Sequence, residues 1–119
     1  MKRIIAAIII FLALVGTVYA ESKPCISSGL KTADGQIMTR SGNSWTCLCG
    51  VEIIPAAADS YVILYDNTSA AGSVLIKATA LASSTPGGYA PNGQCIAVTT
   101  GIYADVDGAD AAYIVWFRE

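Results

Sequence analysis

The sequence predicts an all-β protein, a single antiparallel β-sandwich of about seven short strands behind an N-terminal signal peptide. Three observations carry that expectation. Beyond residue 20, apolar residues alternate or fall in short β-branched runs, and no segment repeats at helical spacing. Turn chemistry punctuates those runs at Asp34-Gly35, Ser41-Gly42-Asn43, Asp66-Asn67, Pro86-Gly87-Gly88, Pro91-Asn92-Gly93 and Asp107-Gly108. Finally, the chain carries 4 cysteines, an even number suited to covalent bracing of a small exported body.

The elements follow in order. Lys2 and Arg3 precede an apolar run from Ile4 to Val18, and Val18-Tyr19-Ala20 ends on a small residue before the polar Glu21-Ser22-Lys23. That order marks residues 1–20 as a secretory signal peptide. The run is shorter than the ~20 residues that cross a bilayer, so the membrane is expected to be met only through this segment before cleavage. A lipoprotein needs a cysteine at the cut, and Cys25 stands too far on, after Pro24.

Residues 21–35, with Pro24 and Gly29, read as an extended arm, and residues 36–119 as the sandwich domain. Strands are expected at 36–40 and 44–54, the second ended by Pro55, with Gly50 as a bulge or kink. In 60–65, Tyr61, Ile63 and Tyr65 share one face, and Val62 and Leu64 the other. Residues 66–72 turn the chain back into 73–79, making a hairpin. Residues 80–94 read as a loop. Strands follow at 95–99 and 101–106, Asp107-Gly108-Ala109-Asp110 reads as a hairpin turn, and 112–118 closes the set. There Tyr113, Val115 and Phe117 oppose Ile114 and Trp116. The pattern is Ig-like or jelly-roll-like. The strands at 60–65 and 112–118 are apolar on both faces, so each is expected to be central or covered by another subunit.

Charge excludes one function class. Past residue 20 the basic residues are Lys23, Lys31, Arg40, Lys77 and Arg118, scattered among a larger number of acids. Nucleic-acid binding needs clustered cations to neutralise phosphate, and no cluster exists here. The cysteines, Cys25, Cys47, Cys49 and Cys95, are expected to form two disulfides. Pairing Cys47 with Cys49 would close a small strained ring, leaving two connectivities open. A zinc site would want paired knuckles two to four residues wide, which this spacing lacks.

The stretches Tyr61 to Leu75, Gly101 to Gly108 and Tyr113 to Phe117 resemble small β-sandwich structural proteins of tailed-phage virions and prophages. The resemblance covers residues 60–118 and implies a structural, self-associating or surface-decorating module with no catalytic residues. The export signal and the four cysteines depart from that pattern.

The chain has no histidine, which removes Ser-His-Asp, Cys-His and His-ligated metal chemistry together. The acids Asp34, Asp66, Asp105, Asp107 and Asp110 sit mostly in turns, where capping their own backbone is the commoner reason for their presence. Asp105, Asp107 and Asp110 form a candidate calcium site, against which stands the plain turn reading. Asn67-Thr68-Ser69 matches a glycosylation acceptor on a turn. Trp45, two residues before Cys47, is placed to pack on a disulfide. Tyr61, Tyr65, Tyr113, Trp116 and Phe117 are the candidate interface residues.

These readings converge on an exported, disulfide-stabilised structural or self-assembling surface module that is not an enzyme and carries no cofactor. Its expected partner is a second copy or a surface or virion protein, and its expected place is secreted, periplasmic or at the cell surface. The competing function is a periplasmic or extracellular ligand-binding module, with carbohydrate as first ligand, or a phage-derived virion decoration protein.

Overall fold

A computed structural model describes residues 23–42, 45–89, 95–108 and 110–119. The signal-peptide segment, Asn43, the Pro91-Asn92-Gly93 turn and Ala109 lie outside the described residues.

Two antiparallel sheets face each other across one apolar layer, as the alternation predicts. The strands are β1 (Ile26–Ser27), β2 (Gly35–Thr39), β3 (Thr46–Ile54), β4 (Ser60–Asp66), β5 (Ser73–Ala80), β6 (Gly87–Tyr89), β7 (Ile96–Val98), β8 (Gly101–Asp107) and β9 (Ala112–Arg118). One sheet runs β1-β9-β3-β6, with β7 also paired to β3; the other runs β2-β8-β4-β5. Both doubly apolar strands, β4 and β9, lie between neighbours in their sheets.

Between the sheets lie Leu48, Val51 and Ile53 of β3, Val62 and Leu64 of β4, Ile102 and Ala104 of β8, and Tyr113, Val115 and Phe117 of β9. Burying each large apolar side chain contributes on the order of 1.5–3 kcal/mol. Tyr113 is 0 % exposed, yet its hydroxyl donates to Ala33 O at 2.7 Å, so the one polar atom it takes inside is satisfied.

The residues expected as an arm are extended and stitched into the sandwich. β1 pairs with β9, Ile26 opposite Phe117, and Lys31 bridges Tyr113. Gly50 sits at a bulge: the β3–β9 register slips between Leu48 and Gly50. The hairpin of β4 and β5 is present, and its turn is held by Asn67, whose side-chain Nδ2 donates to Ala71 O at 2.9 Å and whose Oδ1 accepts from Thr68 N at 2.8 Å.

Two expectations are corrected, the 107–110 hairpin turn and the 80–94 loop. Residues 107–111 do not make a hairpin, because β8 belongs to one sheet and β9 to the other, so this turn carries the chain across the sandwich. Likewise β7 and β8 are in different sheets, and the chain crosses at Thr99-Thr100. The stretch 80–94 holds a strand: β6 pairs with the C-terminal half of β3 and β7 with its N-terminal half, forming one interrupted edge strand. Glycine and proline hide β6 from a propensity reading, but Gly87 and Gly88 fit because an added Cβ would crowd Thr79 O and Val51 O at 3.2 and 3.0 Å.

Candidate functional site

Cys25 bonds Cys49 and Cys47 bonds Cys95. The bulge in β3 turns Cys49 toward the residue just before β1, while Cys47 reaches the start of β7, so β3 is anchored to both edges of its sheet. Two disulfides within one small chain belong to an oxidising compartment, extracellular or periplasmic.

The turn carboxylates are occupied with backbone. Asp66, ending β4, accepts from Thr99 N at 2.9 Å, Thr99 Oγ1 at 2.7 Å, Thr100 N at 2.7 Å and Gly101 N at 3.3 Å. Partial burial works to raise this carboxyl, but the bonds from Thr100, Thr99 and Gly101 outweigh it and hold the group below its ordinary value. Asp34 accepts from Val106 N at 2.7 Å and Asp59 from Ala82 N at 2.8 Å. These acids clamp crossings and loop ends.

The outer face of the four-stranded sheet gathers the remaining candidates. Parity in β4 sends Val62 and Leu64 inward and Tyr61, Ile63 and Tyr65 outward, all half-buried. In β8 it sends Ile102 and Ala104 inward and Tyr103, Asp105 and Asp107 outward. The register aligns them in rows across β8, β4 and β5: Tyr103-Tyr65-Val74, Asp105-Ile63-Lys77 and Asp107-Tyr61-Thr79. Lys77 Nζ lies 4.3 Å from the Tyr61 ring centre, a cation–π contact. Asp107, hydrogen-bonded to the Tyr61 hydroxyl and negatively charged beside it, raises that phenol above its usual value. Among the described residues no strand is left over to cover this face, because every strand belongs to one of the two sheets.

The expected interface residues thus divide. Tyr61 and Tyr65 are on this open face with Ile63, as the alternation of 60–65 predicts, and they are joined by Tyr103, which the sequence alone did not single out. A signal for Tyr103 existed in the alternation of Gly101 to Asp107, but its face depends on the sheet to which β8 belongs. Tyr113 and Phe117 leave the set: both point into the core. Trp116 is half-buried on the outer face of the other sheet, opposite Gly50. Trp45 is 63 % exposed at the start of β3 and is not a core residue on a disulfide.

A groove of about 620 Å³ runs beside Trp116, lined by the Cys25–Cys49 bond, Gly50, Glu52, Gly87 and Gly88 among others. The glycines leave its floor as bare backbone.

The calcium trio is not assembled. Asp105 ends its row beside Ile63, Asp107 turns to Tyr61, and Asp110 is exposed past the turn. Among the described residues no cluster of three His, Cys, Asp or Glu is placed to hold a metal ion.

Fold and covalent bracing define the class: a small, disulfide-stabilised all-β sandwich module. Comparison with known protein families, curated proteins and solved structures finds no match for the chain.

Proposed function

We propose that the protein is an exported structural module that works by self-association rather than catalysis. The observation that carries this is the open aromatic face of the four-stranded sheet, where Tyr61, Ile63, Tyr65 and Tyr103 stand among opposite charges. Aromatic side chains supply large apolar contact area at low conformational cost, and such a face is usually covered. The leader at residues 1–20 and the two disulfides support export, and the resemblance of residues 60–118 to phage β-sandwich proteins supports a structural or decorating role. The capping duties of Asp34, Asp59 and Asp66 support the non-enzymatic reading.

The test uses the full chain expressed with its leader. Mass spectrometry of the exported product is expected to show a chain beginning at Glu21 with both cystines. Light scattering is expected to show a mass that rises with concentration. A strict monomer at high concentration overturns the proposal.

A second reading rests on the Trp116 groove. An aromatic wall beside a carboxylate and bare peptide groups suits a sugar ring, whose apolar face stacks while its hydroxyls find polar partners. In a Trp45→Phe background, Trp116 fluorescence is expected to respond to oligosaccharide, and silence across a glycan panel removes this reading.

A further inference from the structure

The row Asp105-Ile63-Lys77 runs straight across three strands, with the acid on one side of β4, the base on the other and an apolar residue between. We propose that two copies of the chain pack face to face through this sheet, about a two-fold axis that runs parallel to β4 between the Ile63 side chains of the two copies. The proposal rests on the self-association reading and specifies its partner and geometry.

Neighbouring strands are about 4.8 Å apart, so Asp105 and Lys77 stand roughly 10 Å from each other within one copy, with Ile63 between. They are spaced for a partner rather than for each other. A two-fold axis along β4 exchanges the two flanks of the row. Each Lys77 then meets the Asp105 position of the other copy, while Ile63 meets Ile63. Along β4, Tyr61 and Tyr65 meet their own counterparts. Tyr103 meets Val74, which is 56 % exposed on the edge strand. Asp107 meets Thr79, so no acid faces an acid.

Charge selects this axis over the other one available. A two-fold axis running along the row instead would press Asp105 on Asp105 and Lys77 on Lys77, and like charges in contact oppose association. Facing sheets commonly cross by about 30° because each is twisted. At one strand from the axis that rotation moves the charged pair by only about 2–3 Å, within the reach of a lysine. Lys77 has to leave its seat over Tyr61 to reach the partner, exchanging one exposed cation–π contact for an ion pair. The overlap, three strands wide and about seven residues long, is at the small end of specific interfaces, so weak, reversible association is expected.

The experiment is sedimentation equilibrium on the exported, cystine-intact protein and on surface variants checked for native circular dichroism. Lys77→Asp and Asp105→Lys are each expected to weaken self-association at least tenfold. Mixing those two single variants is expected to restore a heterodimer, because both contacts are then between opposite charges, and the double swap is expected to recover a homodimer. Ile63→Arg, at the axis, is expected to dissociate the pair. If the protein associates and the charge variants leave its constant unchanged, or the mixture fails to recover, this axis is wrong while self-association itself stands. A wild-type chain that is monomeric at every concentration overturns both.

Discussion

Asp66 ends β4 and Thr99 lies 33 residues further on, in the crossing between the sheets, and one carboxylate oxygen of Asp66 accepts both the amide and the hydroxyl of Thr99, at 2.9 and 2.7 Å. Together with the bonds from Thr100 and Gly101, this clamps the point where the chain leaves β7 and enters β8. The clamp joins the end of one inner strand to the start of its neighbour, since β4 and β8 are paired.

Asp66→Ala should therefore destabilise the fold by about 1–3 kcal/mol, the cost of stranding several donors, with Asp66→Asn milder because it keeps one acceptor. Urea unfolding measures both. The folded carboxyl is held below its ordinary value of 3.8, so its contribution is present above that pH and is lost as pH falls through the lower folded value. Wild-type stability should drop on acidification in that window, and the drop should be shallower in Asp66→Ala.

The two cystines should contribute unequally. Closing the loops of 24 and 48 residues contributes about 3.5 and 4 kcal/mol in the chain-entropy view. Replacing Cys47 and Cys95 together by Ser should lower the melting temperature more than replacing Cys25 and Cys49. Calorimetry of the two double variants decides the order.

Tyr113 is pushed up to about 12 by burial first, then by the negative charge of Asp34 and by Tyr103. An unfolded tyrosine ionises near its ordinary value of 10.0, so this stability is complete below that pH and is lost as pH rises toward about 12. Absorbance titration should show one phenol that ionises only as the fold opens, and Tyr113→Phe should remove that step. The same variant loses the bond to Ala33 O and should cost about 1 kcal/mol.

Gly108 has φ +120°, and an added Cβ would run into the Ser60 side chain and its Cα. Gly108→Ala should therefore destabilise by more than the about 1 kcal/mol typical of a strained backbone position alone. Thermal unfolding checks it. Ala at Gly35, where nothing lies near, serves as the neutral comparison.

Much of the fold is legible in the residues. The period-two runs place β3, β4, β5, β8 and β9, Gly50 marks the bulge, and the cysteine spacing rules out the 47–49 bond that is indeed absent. What stayed hidden is which sheet each strand joins. Asp107-Gly108 reads as a hairpin because neighbouring strands usually pair, but nothing local says that Ile102 and Val115 approach the core from opposite sides. In β9 both parities are apolar, so Tyr113 and Phe117 look as eligible for the surface as Trp116. The inward choice is decided at long range, by Ala33 O waiting for the Tyr113 hydroxyl and by Gly50 leaving room beside Trp116. For the candidate site, Tyr61 and Tyr65 were visible from parity alone, whereas the alignment of Asp105 with Lys77 exists only once β8 and β5 flank β4.

The placement of β9 between β1 and β3 bears on biogenesis. In the native sheet β9 lies between β1 and β3, so the ladder that sets the spacing of Cys25 and Cys49 is complete only once the last strand of the chain has docked. Early sulfur bridges are thus made without a template, and reaching the native pair Cys25–Cys49 calls for later reshuffling. Cells short of a disulfide isomerase should accumulate scrambled forms of this protein, even where oxidation itself is fast.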